Sequence, residues 1–137
     1  MARTSTEALT PREAQIMECL WNAGFATAEQ IRVSLKDAAH DSSVRTLLRV
    51  LEEKGYVTHI VEGKAFVYQP VVPRKTAQSQ ATGSLLKRLF QGSASALVLR
   101  LLEDEEISAD ELARLADQVR QSSHDRSSTR SRKGKRT

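Results

Sequence analysis

Three features of the chain predict a mainly α fold with a small β-hairpin wing. Apolar residues recur at helical spacing through most of its length. Helix-start signals open three of these segments. One short stretch between Tyr56 and Tyr68 alternates around a glycine turn instead. Together they describe a winged helix-turn-helix followed by a helical dimerisation region. The expected division is a flexible N-terminus over 1–8, the winged helix over 9–72, the helical region over 73–121 and a disordered basic tail over 122–137.

Thr10-Pro11-Arg12-Glu13 opens the first helix. Thr10 caps it, Pro11 suits the first helical position and Glu13 completes a capping box. Ile16, Met17, Leu20 and Trp21 form its apolar face, and Asn22-Ala23-Gly24 ends it. Phe25-Ala26 is long enough only for a brief strand pairing. Thr27-Ala28-Glu29-Gln30 is a second capping box, and the helix it starts turns Ile31 and Leu35 inward. A turn over Asp37 to His40 leads to the third helix, from Asp41 to Lys54. There Val44, Leu47, Leu48 and Leu51 make a buried face, while Ser42, Arg45, Thr46 and Arg49 repeat the spacing on the other side. Gly55 sits where a left-handed cap is needed. Tyr56 to Val61 and Ala65 to Tyr68 then read as strands joined by Glu62-Gly63-Lys64. An isolated hairpin is marginal, so this one must pack on the three helices as a wing.

Pro70 and Pro73 mark a boundary. Beyond a polar stretch, Leu85, Leu86, Leu89 and Phe90 form an apolar stripe that Gln91-Gly92 breaks. A helix over Ser93 to Leu102 carries Leu97, Val98, Leu101 and Leu102. After the acidic turn Glu103 to Glu106, Ser108 to Glu111 caps a last helix with Leu112, Leu115, Ala116 and Val119 on one side. A leucine-rich piece of this size seldom stabilises itself alone, so a second copy of the chain is expected to complete it. Leu85, Leu89, Leu97, Val98, Leu101, Leu112 and Leu115 are the candidate dimer contacts.

Charge is unevenly spread. Residues 1–75 hold ten Lys/Arg against nine Asp/Glu, residues 76–121 five against seven, and residues 122–137 six against one. The basic excess is in the tail, so nucleic-acid binding by the folded part must rest on a local patch. The third helix offers that patch. Its stripe of hydroxyl and guanidinium donors suits a DNA major groove, where Arg pairs with guanine or phosphate. Ser42, Ser43, Arg45, Thr46 and Arg49 are the candidate DNA contacts, with Lys64 at the wing tip reaching a flanking phosphate; Arg12 and Lys36 are weaker candidates. A protein-interaction module is the rival reading, since winged helices also dock on proteins and fold does not fix function.

Other classes are disfavoured. No nucleophile stands beside a base, and no phosphate-binding glycine loop or metal-ligand spacing occurs, so neither catalysis nor a cofactor is expected. Cys19 is the only cysteine and reads as a small buried hydrophobe. His59 reads as a strand residue with no second His, Cys or acid spaced to join it. No apolar run is long enough to span a bilayer and no signal peptide opens the chain, so a cytoplasmic protein with no membrane insertion is expected.

The residues Leu9-Thr10-Pro11-Arg12-Glu13, Trp21, the block SSVRTLLRVLEEKGYV and Gly63 to Pro70, with Leu85 to Leu89 and Ala96 to Leu99 further on, resemble the penicillinase repressor (BlaI/MecI-type) family of bacterial winged-helix regulators. The resemblance covers residues 9–121. It implies a homodimeric repressor on a palindromic operator with TACA/TGTA half-sites, controlling a β-lactamase or a membrane metalloprotease sensor. It also implies that this sensor pathway leads to cleavage of the repressor in its dimerisation region. The family's cleaved bond is Asn–Phe; the matching bond here is Arg100–Leu101, a departure from that pattern. The cysteine pairs of a copper-sensing branch are absent from this sequence.

Overall fold

The computed structural model describes residues 8–35 and 41–134. Residues 1–7 of the expected flexible start over 1–8, the turn at 37–40, Lys36 and the last three residues lie outside the described residues, as do the side chains of Asp41, Ser42 and residues 126–134. The described elements are α1 (Pro11–Ala23), β1 (Ala26–Thr27), α2 (Ala28–Ser34), α3 (Asp41–Lys54), β2 (Val57–Glu62), β3 (Ala65–Pro70), α4 (Arg74–Leu89), α5 (Ala94–Glu103) and α6 (Ala109–Gly134). They divide into two compact units, Met1–Leu85 and Leu86–Thr137.

The first unit is built from its caps inward. The Thr10 hydroxyl accepts the Glu13 N–H, and the Glu13 carboxylate accepts the Thr10 N–H at 2.8 Å, closing the capping box that the sequence predicts. Glu13 does more than cap. It is buried, and Lys54 at the end of α3 donates to both its oxygens, at 2.8 and 3.2 Å. Burial alone pushes this carboxyl up; the hydrogen bonds from Lys54 and the Thr10 backbone and the Lys54 charge outweigh it and leave the group below its ordinary 4.5. The start of α1 is thereby tied to the end of α3.

Thr27 and Gln30 make the second capping box, at the start of α2. Ile16, Met17 and Leu20 from α1, Ile31 from α2, and Val44, Leu48 and Leu51 from α3 are essentially inaccessible to solvent and form one core. Leu47 packs at its edge, half-buried. Gly55 takes a φ of 89°, the left-handed conformation needed to leave α3 for β2.

The sheet is antiparallel in the order β1-β3-β2. Its third strand is the brief pairing that Phe25-Ala26 hinted at, shifted by one residue: Ala26 faces Tyr68 and Thr27 faces Val67. On the other edge β2 pairs with β3 from Val57↔Pro70 to Glu62↔Ala65. Beyond Val67 the hairpin is two-stranded.

The first unit extends past the expected boundary at 72. The Trp21 indole N–H donates to the Val72 carbonyl at 2.9 Å. Arg74 reaches Glu18 and Asn22 and lies over the Trp21 ring, 5.6 Å from its centroid. Val72 and Ala77 are core residues, which is why the start of α4 belongs to this unit. Gly83 does not interrupt α4.

In the second unit α5 is capped by Ser93, whose hydroxyl accepts the Ala96 N–H, and Ser108 accepts the Glu111 N–H at the start of α6. Gln91-Gly92 is the expected break, with φ values of 52° and 80°. Among the described residues of this unit no side chain is buried. From 122 onward, where disorder is expected, the α6 backbone continues to Gly134. The physical reason is composition. Arg and Lys are good helix formers, no proline intervenes, and the first glycine after Ser122 is Gly134 itself. Lack of an apolar stripe removes a packing partner, not helical propensity.

Candidate nucleic-acid interface

The buried stripe of α3 fixes which residues it shows to solvent. With Val44, Leu48 and Leu51 inward, Ser43, Arg45, Thr46 and Arg49 are exposed. The side chain of Ser42 lies outside the described residues. Lys64 is exposed in the two-residue turn of the wing, where Gly63 has a φ of 62°.

The structure brings Arg45, Arg49 and Lys64 to the walls of one open cleft of about 470 Å³ between α3 and the wing. Thr27, Ala28 and Glu29 from the start of α2 line it, and so do Phe66 and Tyr68 from β3. Three cations and one acid therefore meet at a concave surface. The Tyr68 phenol is pushed up chiefly by burial and further by Glu52, with Arg45 and Arg49 pulling the other way. It stays protonated at neutral pH. The arrangement is suited to a polyanion lying across α3 and the wing, with guanidinium groups that can fork to oxygen pairs.

Some of the chemistry was not visible as a stripe. Phe66, Tyr68 and Glu29 enter the cleft through tertiary packing, and no spacing in the sequence joins them to α3. His59 was expected to lack an acidic neighbour; the structure gives it one, with its Nδ1 2.7 Å from Glu52 Oε1. Glu52 lies seven residues past Arg45, on the same flank of α3, so turning it toward the wing occupies an acid that would otherwise face a polyanion. Glu53 is exposed, one turn beyond Arg49. Along α3 the exposed donors Ser43, Arg45, Thr46 and Arg49 thus precede Glu52 and Glu53, while the helix itself opens on an acid, Asp41, and closes on Lys54.

In the second unit the candidate dimer residues share one character. Leu97, Val98, Leu101 and Leu112 are half-buried, Leu115 is 43% exposed and Leu89 is 72% exposed. Leu85, half-buried, closes the first unit. The Arg100–Leu101 bond lies inside α5. The Arg100 carbonyl accepts the Asp104 N–H and the Leu101 carbonyl accepts the Glu106 N–H, both at 2.9 Å. A protease that reads an extended strand must unwind this turn first.

Cys19 is half-buried beside Phe25 and Ile31, and burial pushes its thiol up, away from reactive thiolate. No helix among the described residues is long and apolar enough to cross a membrane.

Known proteins supply an independent comparison. The chain is 28% identical over 109 residues to the penicillinase repressor of Bacillus licheniformis, covering 78% of this chain and 85% of that protein. It is 24% identical over 112 residues to the methicillin resistance regulatory protein MecI of Staphylococcus aureus (strain N315), covering 80% and 91%. Among solved structures, the oxidised form of MarR from E. coli matches 82% of this chain and 74% of its own at 17% identity with a TM-score of 0.47, a likeness too low to bear on function. The family model for the penicillinase repressor matches residues 9–121. That match takes in the whole of the winged helix and continues well into α6, and the chain accordingly belongs to the penicillinase repressor family, as a DNA-binding transcriptional repressor.

Proposed function

We propose that the protein represses transcription as a homodimer, each winged helix docking on one half of a palindromic operator in the bacterial cytoplasm. The observation that carries this is the cleft at which Arg45, Arg49 and Lys64 converge. In this reading α3 enters the major groove. Arg45, Thr46 and Arg49, with Ser42 and Ser43, contact base edges and phosphates, and Lys64 holds a flanking phosphate. The protein is not an enzyme; occupancy of a promoter is its whole action. The second unit supplies the pairing surface through Leu89, Leu97, Val98, Leu101, Leu112 and Leu115, with Leu85 at the end of the first unit as a further contact; their partial exposure is what a second copy would cover. Pairing matters because two weak half-site contacts become one strong site through effective concentration.

The regulated genes we propose are those the resemblance implies, a β-lactamase or a membrane metalloprotease sensor, with release by that sensor pathway. Cleavage at Arg100–Leu101 would follow opening of the last turns of α5.

The test is a binding titration on a TACA/TGTA palindrome against a scrambled duplex at several salt concentrations. Preference for the palindrome kept at physiological salt, with two protomers per duplex, is the expected outcome. Equal weak binding to both, vanishing with salt, overturns it and points to the basic residues after 122 as the source of affinity.

A further inference from the structure

The wing is held to the rest of the first unit unevenly. β1 pairs with β3 only at Tyr68 and Val67. From there to the turn, Val61 and Glu62 of β2 and Ala65 and Phe66 of β3 form a two-stranded ribbon with Lys64 at its end. A two-stranded ribbon does not fix its own direction. The Glu52–His59 pair links β2 to α3 by side chains, at 2.7 Å and with both side chains about one-third exposed or less. It falls at the register position His59↔Tyr68, one position before Ile60↔Val67, where the third strand stops. Phe66 stacks on the His59 ring with centroids 4.2 Å apart and planes 11° apart, so the imidazole also carries the first residue pair of the free ribbon.

We propose that Glu52 and His59 are a positioning pair that sets the wing against the recognition helix, and that operator binding is favoured when His59 carries its second proton. This rests on the proposed operator reading and adds a regulation to it. The groups around His59 decide the sign. Glu52 faces it from α3, and Tyr68 and Phe66 face it from β3, with the Tyr68 ring 5.5 Å away. Arg45 and Arg49 on α3 act on Tyr68 from the cleft side. With His59 protonated, Glu52 is neutralised by a charge-assisted bond and the wing is held firmly. With His59 neutral, the Nδ1–H still donates, but the carboxylate stands as a net negative charge one turn from Arg49, next to the proposed phosphate track. Histidine is the side chain whose ordinary charge change lies in the range that cells visit.

The experiment compares full-length wild type, His59→Phe and Glu52→Gln on the same duplex at fixed salt, at pH 6 and pH 8, with hydroxyl-radical protection of the wing flank as a second readout. His59→Phe keeps a ring to stack on Phe66 and loses the bond; Glu52→Gln keeps an acceptor and loses the charge. Wild type is expected to bind roughly fivefold more tightly at pH 6 than at pH 8, the size of one partly screened charge. His59→Phe loses that ratio, binds more weakly than wild type at pH 6 and loses protection of the wing flank. Glu52→Gln loses the ratio but keeps the protection. A wild type indifferent to pH overturns the proposal, and so does a His59→Phe variant that keeps the wild-type ratio or the wild-type footprint. Circular dichroism and melting at both pH values establish that the variants are folded; if His59→Phe is not, the Glu52→Gln ratio alone decides. A protein that prefers no palindrome sinks the operator reading, while the pH comparison on a random duplex still tests the pair.

Discussion

The two units of this chain solve the burial problem differently. The first closes on itself: Ile16, Met17, Leu20, Ile31, Leu48 and Leu51 are at 0% exposure, and the one buried charge among its described residues, Glu13, is answered by Lys54. The second has helices of comparable apolar content, yet no described side chain of it is buried, and Leu99 and Val119 stand 56% and 66% exposed. A helix with an amphipathic face forms readily but gains most of its stability when that face is covered. The first unit covers its faces within one chain; the second leaves its apolar faces partly exposed. Self-sufficiency thus coincides with the proposed DNA-reading part, and incompleteness with the proposed pairing part.

The comparison is most severely tested in the first core. Leu48→Ala should cost about 3 kcal/mol, the usual cost of emptying a fully buried leucine site, read from the urea midpoint. Next in size, Leu101→Glu should turn a dimer into a monomer in sedimentation and weaken operator binding by about 100-fold, while the melting of the first unit stays put. A variant that remained dimeric would show that the second unit does not use this face. Acid should act on the first unit through Glu13. Its folded value lies below 4.5, so the stability from its pairing is complete above that value and is lost as pH falls through the folded one. Glu13→Gln should therefore be less stable than wild type at pH 7 and lose less on going to pH 3. Smallest of the four, Thr27→Ala should cost about 1 kcal/mol by removing the α2 cap. A larger loss would mean that the Thr27↔Val67 pairing also depends on that side chain.

Much of the fold was legible from local signals, because caps and helical stripes are written over three to eight residues. The Thr10 and Thr27 boxes, the Val44/Leu48/Leu51 face and the glycine at 55 each declare themselves within that range. What was missed depends on contacts between distant residues. The pairing of His59 with Glu52 arises because α3 and β2 meet at an angle set by Gly55, and no periodicity encodes it. The unit boundary moved to Leu85 because Val72 and Ala77 find core partners on α1, again a tertiary fact. For the candidate site, the sequence placed Arg45 and Arg49 on one stripe of α3 and Lys64 at the wing tip. Their convergence on one cleft, and the aromatic wall of Phe66 and Tyr68, needed the wing in place. The helical backbone past 122 was missed because absence of an apolar stripe was read as absence of structure.

The placement of Trp21 also equips the molecule with a label of its own. It is the only tryptophan, and the two tyrosines are Tyr56 and Tyr68, so every ultraviolet chromophore of this kind belongs to the first unit. The indole is pinned by the Val72 carbonyl and overlaid by Arg74, a setting that disappears when α4 leaves α1. Its emission will report the opening of the winged helix and nothing of the leucine-rich helices, which remain optically silent there and visible only in far-ultraviolet dichroism. A denaturation followed by both signals, without any added dye, separates the fate of the two halves in a single cuvette.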